Sequence, residues 1–436
     1  MMTFDKSRAL QRRFHEVIPG GSHTYAKGDD QFPEFMPPYV VRGKGSHVWD
    51  ADGNEFIEYG SGLRSVTLGH AYPSVVEAAA RQMQLGGNFI RPAPIELEAA
   101  ERLLSFIRGA EMVKFAKNGS DVNNAAVRLA RACTGRDYVA ICASHPFFSV
   151  DDWFIGSTPM AAGVPQAVRD LTLTFAYNDI TSLRTLFDRH PAKVACVVLE
   201  PEKEQPPRDG FLQEVQRLCR ENGAVLIFDE MITGFRWHNG GAQTFHGITP
   251  DLSTFGKALG NGFAIAALVG RRELMERGGL HHKHERVFLV STTHGAEGHA
   301  LAAALETMRI FGEQPVVETL WKQGERLAAG LNSSIQARGL EGCVAVLGRP
   351  CCLVFATRDQ EQKPSQPFRT LLLQEIMKRG ILASSLVVNY SHTDEDIDRT
   401  VSAFDESFVV YRRALDEGVE KYLVGRPVKP VMRRYN

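Results

Sequence analysis

From about residue 112 the chain alternates short, mainly apolar runs with stretches whose apolar residues recur at helical spacing. Met112–Ala116, Tyr138–Cys142, Val194–Leu199 and Ala224–Phe228 are such runs. Each is too short for a free-standing helix and rich in branched or aromatic side chains, the pattern of strands buried on both faces of a parallel sheet. Residues 121–132, and the set Leu212, Val215, Leu218 and Cys219, carry the helical spacing in between. This alternation predicts a mostly parallel sheet covered by helices on both faces, with ligands beyond the carboxyl ends of the strands.

Ahead of that core, an amphipathic helix opens the chain and Pro19-Gly20-Gly21 breaks it. Val40–Gly45 and His47–Asp50 flank turns, and Asp52-Gly53 is a hairpin signal, so a small β-meander is expected. Pro73 and Pro94 open two helices. Val76, Ala79, Ala80 and Met83 share a face of the first, and Leu97, Ala100, Leu104 and Ile107 a face of the second. After about residue 315 a long helix passes through Trp321, Leu327 and Leu331, followed by short strands at 342–347 and 352–355 and helices near 368–379 and 394–415. That composition predicts a smaller α+β domain. The expected organisation is an N-terminal segment, 1–60, belonging with the small domain, a large domain, 61–315, and a C-terminal small domain, 316–436.

Charge narrows the function classes. With 50 basic residues against 51 acidic in 436, there is no electrostatic footprint for nucleic acid or an anionic membrane. No window reaches the roughly 18 apolar residues that a membrane span needs. The N-terminal MMTFDKSRALQRRF lacks the apolar centre of a secretory signal. Seven cysteines without a CxxC pair point to reduced core thiols. A soluble, cytoplasmic protein is expected.

The chemistry begins where the run Ala224–Phe228 ends on Asp229 and Glu230. A carboxylate at the end of a buried strand needs a cationic or proton-donating partner. Lys257 lies between Gly256 and Ala258, small neighbours that let the backbone bend and a bulky group approach the amine. A carboxylate beneath a ring nitrogen and an amine able to form a Schiff base are what pyridoxal phosphate (PLP) requires. Taken singly, Asp229 also reads as a structural carboxylate and Lys257 as an exposed loop lysine. Asn118-Gly119-Ser120 follows a strand and precedes a helix, so it reads either as a simple N-cap or as an anion site. His70, His145, His294 and His299 have no metal-ligand spacing, and no metal site is expected. No GxSxG, Walker loop or GxGxxG after a strand is present, which leaves hydrolase, NTPase and dinucleotide readings without support.

Gly53-Asn54-Glu55, Leu68-Gly69-His70, Asp229-Glu230-Met231-Ile232-Thr233-Gly234-Phe235-Arg236, Pro250-Asp251-Leu252, Phe255-Gly256-Lys257 and His392-Thr393-Asp394-Glu395-Asp396 together resemble the class III PLP-dependent aminotransferases. The glutamate-1-semialdehyde aminomutase branch is the nearest in pattern. The resemblance implies an α/β chain of fold type I, with a large domain on a mostly parallel sheet and a smaller α+β C-terminal domain. It also implies a homodimer with active sites at the interface. By position, Lys257 becomes the Schiff-base lysine and Asp229 the partner of the pyridine nitrogen. Gly119 and Ser120 match the phosphate loop, Glu200 matches an acidic residue near the cofactor, and Thr293 matches a residue that reaches the neighbouring subunit's phosphate.

Departures fall around the substrate. The family's Tyr-His-Gly, whose ring stacks on the cofactor, is replaced by His145-Pro146-Phe147-Phe148, leaving Phe147 or Phe148 to stack. An early Asn-Ser-Pro-Val-Arg stretch becomes His23-Thr24-Tyr25-Ala26-Lys27, and lysine lacks arginine's bidentate fork. Leu63-Arg64 stands at the family's tryptophan, and Leu386–Tyr390 replaces Phe-Glu-Ala-Gly-Phe. Tyr25, Lys27 and Arg64 are the candidate substrate contacts, Arg64 for an anionic group. A kept cofactor shell with a changed substrate shell implies transamination between an amino-acid donor and a carbonyl acceptor by a ping-pong route through pyridoxamine phosphate. Intramolecular amine transfer, as in the 2,1-aminomutase, is the alternative. A catalytically silent scaffold is a third reading, opposed by the Asp229/Lys257 pair.

Overall fold

The structure, a computed structural model, describes residues 2–143 and 147–436; His145 and Pro146 of the expected stacking segment lie outside them. In chain order the strands are β1 Val40–Lys44, β2 His47–Asp50, β3 Glu55–Glu58, β4 Met112–Ala116, β5 Tyr138–Cys142, β6 Thr172–Phe175 and β7 Val194–Leu199, then β8 Val225–Asp229, β9 Leu252–Phe255, β10 Ala266–Gly270, β11 Val344–Leu347, β12 Val354–Thr357 and β13 Ile381–Leu382. The chain forms two compact units, Pro73–Val317 with Arg434–Asn436, and Met1–Tyr72 with Glu318–Arg433.

The larger unit is built on a seven-stranded sheet of order β4-β10-β9-β8-β7-β5-β6. The pairs β5–β6, β5–β7, β7–β8 and β8–β9 are parallel, and only β10 runs against its neighbours. The carboxyl ends of β4, β7, β8 and β9 therefore share one edge. Every residue of β7, β8, β9 and β10 is buried, which is why β7 and most of β8 read as continuous apolar runs. Alternate residues feed two cores. Ile141, Val198 and Ile227 pack with Val122, Ala126 and Leu129 on one face. Val197, Leu199, Leu226 and Phe228 pack with Phe211, Leu212 and Val215 on the other. Each such side chain contributes about 1.5–3 kcal/mol on burial. The helix Phe211–Asn222 stops at Gly223, whose φ of 61° permits the left-handed cap, and the Ala224 N–H then bonds Cys219 O at 2.9 Å. That cap turns the chain directly into β8.

The helices opened by Pro73 and Pro94 form, and their inward faces match the expected ones only in part: Ala79 and Ile107 are buried, other members of the two sets are not. Val75, Ala79, Ala99 and Leu103 are buried, whereas Val76, Met83 and Leu97 are 44%, 61% and 63% exposed. Small residues at the contact let the helix Pro73–Leu85 lie close against Gly298–Glu313, and this turns the larger apolar side chains outward.

In the smaller unit, β1, β2 and β3 form the antiparallel meander, with β13 added parallel to β3. Gly53, at φ 90°, makes the turn between β2 and β3. β11 and β12 form a separate hairpin. The His392–Asp396 motif is a helix start: Thr393 Oγ1 accepts the Asp396 N–H and Asp396 Oδ2 accepts the Thr393 N–H, both at 3.1 Å. Beside it His392 is buried against Tyr59, with ring centroids 4.5 Å apart, and its Nδ1 accepts the Asn389 N–H at 3.0 Å.

Burial holds the His392 pKa down to about 4 from 6.5. A base whose pKa is lowered by folding contributes stability above its unfolded pKa, and that stability is lost as pH falls from 6.5 towards 4. The midpoint of thermal unfolding should therefore drop over this window, and His392→Asn should remove part of that slope while lowering the midpoint at pH 7. No helix among the described residues is long and apolar enough to cross a membrane, and no disulfide joins the seven cysteines.

Candidate active site

The carboxyl edge of the large sheet gathers most of the expected cofactor residues. Asp229 is the last residue of β8 and 2% exposed. Its Oδ1 accepts the Met231 N–H at 2.9 Å and its Oδ2 accepts from Asn123 Nδ2 at 2.7 Å. Burial raises the Asp229 pKa, and the Lys257 charge and these hydrogen bonds act against that rise. The carboxylate is thus fixed in direction and starved of water, a site that favours a further cationic partner. Asn123 is fixed in turn, since its Oδ1 accepts from Thr254 Oγ1 at 2.8 Å and its Nδ2 also donates to Phe148 O at 2.8 Å.

Glu230 points elsewhere. Its carboxylate accepts N–H groups from Ala242 and Gln243, at 2.8 and 2.6 Å, and the Thr233 hydroxyl. It is fully buried, and burial pushes its pKa up to about 7. Gly241, at φ 82°, comes so close that a Cβ there would lie 2.5 Å from Glu230 Oε2. Glu230 therefore anchors the loop after β8 rather than facing the edge.

Lys257 follows β9 and opens the short turn Lys257–Gly260 with a φ of 46°. A left-handed lysine is strained, and such strain persists where the surroundings over-determine it, characteristically at functional sites. Met231 packs against both loops of the site. A Cβ on Gly119 would lie 3.1 Å from Met231 Sδ, and one on Gly256 would lie 2.7 Å from it. The glycines thus leave the thioether the space between the lysine turn and the start of the helix Gly119–Thr134.

That helix begins directly after β4 and Asn118. Its first turn offers N–H groups and the positive end of the dipole to an anion. Asp121 Oδ2 accepts the Asn118 N–H at 3.1 Å, and Ser120 Oγ accepts the Val150 N–H at 3.1 Å. Ser120 and Asn123 together tether the segment that carries the two phenylalanines. Their environments differ: Phe148 is 1% exposed and Phe147 45%, and each ring meets Phe154 edge-on at 5.6 Å. Glu200 is buried where β7 ends. Thr293 lies on an exposed turn before the helix Gly298–Glu313, its carbonyl accepting from Asn88 Nδ2 at 2.8 Å.

Tyr25, Lys27 and Arg64 belong to the other unit. Tyr25 and Lys27 are exposed on one short helical turn. Arg64 ends a turn, Ser61–Arg64, in which all four residues have positive φ, from 45° to 70°. Sequence reasoning missed Asn123 and Met231. Neither carries a local signal: Asn123 and Asn124 both lie one helical turn beyond Ser120, and the role of Met231 depends on glycines from two distant loops.

A PLP molecule fits this donor set. It would meet a buried, hydrogen-bonded carboxylate, an amine and a helix N-terminus. The family model for class III aminotransferases matches residues 25–408. Glutamate-1-semialdehyde 2,1-aminomutase of Acetivibrio thermocellus is 32% identical over 425 residues, covering 92% of this chain and 97% of its own length. Among solved structures, the FumI protein of Sphingopyxis sp. MTA144, in its PLP internal aldimine form, superposes with a TM-score of 0.85 at 29% identity, covering 94% and 97% of the two chains. An omega-transaminase from Sphaerobacter thermophilus gives 0.84 at 27%, covering 93% and 97%. The chain is therefore a member of the class III aminotransferases, a PLP-dependent enzyme of fold type I.

Proposed function

We propose that the protein moves an amino group from an amino-acid donor, such as glutamate, to a separate carbonyl acceptor. The observation that carries the reading is the pairing of a strained Lys257 with the buried, hydrogen-bonded Asp229, taken together with a sequence that departs from the aminomutase pattern at Tyr25, Lys27 and Arg64. When bound, PLP would supply an electron sink and a carrier for the amino group between donor and acceptor.

The chain's residues do the rest. Lys257 Nζ takes the proton from the donor Cα and returns a proton when the acceptor is aminated. Asp229, aimed by Asn123 and the Met231 N–H, holds the ring nitrogen protonated. Gly119 and Ser120 bind the phosphate through the first turn of their helix, and Glu200 lies near the cofactor. Phe147 supplies the stacking ring, since Phe148 is committed to the core. Tyr25 and Lys27 contact substrate, and Arg64 takes an anionic group on it.

The active enzyme is a homodimer in the cytoplasm, with Thr293 of each protomer reaching its partner's phosphate. The outward-facing Val76, Met83, Leu85, Phe89, Ile90 and Leu97 support a second copy, because an apolar stripe of that extent is rarely left in water. The stacking assignment has a direct check. Phe148→Ala should cost about 3–5 kcal/mol in urea unfolding. Phe147→Ala should leave stability within about 1 kcal/mol while weakening PLP binding several-fold. Equal effects on cofactor binding would remove the distinction. The reaction itself is tested by adding single compounds. A donor alone should convert the cofactor once and stop, whereas full isomerisation of one compound without a second amine or carbonyl would establish amine migration instead.

A further inference from the structure

One carboxylate near the start of the phosphate-binding helix is not absorbed by the roles above. Glu297 forms an ion pair with Lys117, the residue between β4 and Asn118. The same carboxylate lies 3.0 Å from His294 Nδ1 and 3.8 Å from His299 Nε2. It is thus the hub of the turn 292–297, which carries Thr293. The turn is fastened at two further points: Asn88 Nδ2 donates to Thr293 O and the Gly298 N–H donates to Gly87 O, both at 2.8 Å. Gly295 packs so that a Cβ on it would lie 3.8 Å from Phe115 O of β4. The Lys117 hydrogen bond is the main reason the Glu297 pKa lies below the usual carboxylate range, so the carboxylate stays charged near neutral pH.

We propose that Glu297 is a positioning residue for the cofactor phosphate, tying the Thr293 turn through Lys117 to the strand end that opens into Gly119 and Ser120. The proposal rests on the phosphate assignments given above for Gly119, Ser120 and Thr293. In this proposal Lys117 and Glu297 act through the turn and not by contact with the phosphate. The pair fixes the turn against β4, and with Thr293 serving the partner's site, it connects one protomer's phosphate loop to the other's.

The test compares the affinity of the apoenzyme for PLP with its affinity for pyridoxal, which has the ring and aldehyde but no phosphate. Glu297→Gln should weaken PLP binding about tenfold, the scale of a lost charged hydrogen bond, with pyridoxal binding unchanged. Lys117→Gln should do the same, and the double variant no more, because the two act as one unit. The charge swap Lys117→Glu with Glu297→Lys should restore much of the PLP affinity, and it keeps the test valid if a single variant folds poorly. Equal weakening of PLP and pyridoxal would mean a merely structural role and overturn the proposal. Tighter PLP binding in Glu297→Gln would overturn it too, by showing that Glu297 only withheld Lys117 from the phosphate. Ser120→Asp separates the underlying reading: it should lower PLP affinity more than pyridoxal affinity. If it does not, the phosphate assignment fails and the proposal with it; if it does and Glu297→Gln has no effect, the proposal alone fails.

Discussion

Lys257→Ala should lose turnover by about 10³-fold or more, the range over which positioned proton transfer contributes to catalysis, while remaining folded. Lys257 sits in a turn whose neighbours Ala258, Leu259 and Gly260 are buried, but Lys257 itself is only half-buried. Removing its side chain therefore opens no core cavity, and alanine at φ 46° meets the same backbone strain that lysine does. Unfolding midpoints of the apo forms should agree to within a few degrees. The covalent role is checked separately: borohydride reduction of the wild type should fix the cofactor to the peptide containing Lys257, and no such peptide should appear with Lys257→Ala. A variant that turns over at the wild-type rate would refute the assignment.

Asp229→Ala should show the second large effect, with an unusual split between activity and stability. Activity should fall about 10²–10³-fold, the scale of losing one fixed electrostatic partner in a dry site. PLP binding should weaken as well, because the ring nitrogen loses its counter-charge. The apo form should be little destabilised. Burial disfavours the Asp229 charge so strongly that its pKa is raised despite Lys257 and two hydrogen bonds, so removing it relieves a desolvation cost. Asn123 keeps its bonds to Phe148 O and Thr254, which limits the damage around the cavity. The check is a pair of melting curves, with and without PLP. Wild type should gain stability on adding PLP, and Asp229→Ala should gain much less. Equal gains would show that the carboxylate does not meet the cofactor.

Much of the fold is legible because burial on both faces leaves a plain trace. The apolar runs of β4, β5, β7 and β8 form as strands, and the switch to helical spacing between them marks the crossovers. The aspartate stood out for a different reason, since it ends a buried strand on a charge that needs a partner, whereas the lysine stood out by its small neighbours Gly256 and Ala258. Contacts made across long separations in the chain were not legible. Asn123 meets Asp229 from 106 positions away, and nothing local distinguishes it from Asn124. Glu297 and Lys117 are still more widely separated partners whose charges, read alone, suggest a solvated surface. The choice between Phe147 and Phe148 depends on which ring Phe154 and the core claim. The helix faces at Val76, Met83 and Leu97 were misjudged because both sides of those helices are apolar, and periodicity does not say which side meets the helix Gly298–Glu313 and which faces outward. The His392–Asp396 element of the family pattern is, in part, a capping box.

The central claim, transfer between two molecules, is tested most directly by following nitrogen. Supplied with an amino acid labelled with heavy nitrogen and a candidate carbonyl acceptor, the enzyme should deliver the label to the amine formed from the acceptor, with an equal amount of keto acid formed from the donor. If the label never leaves its first carbon skeleton while a single compound is isomerised to completion, transfer is intramolecular and the proposed reaction is wrong.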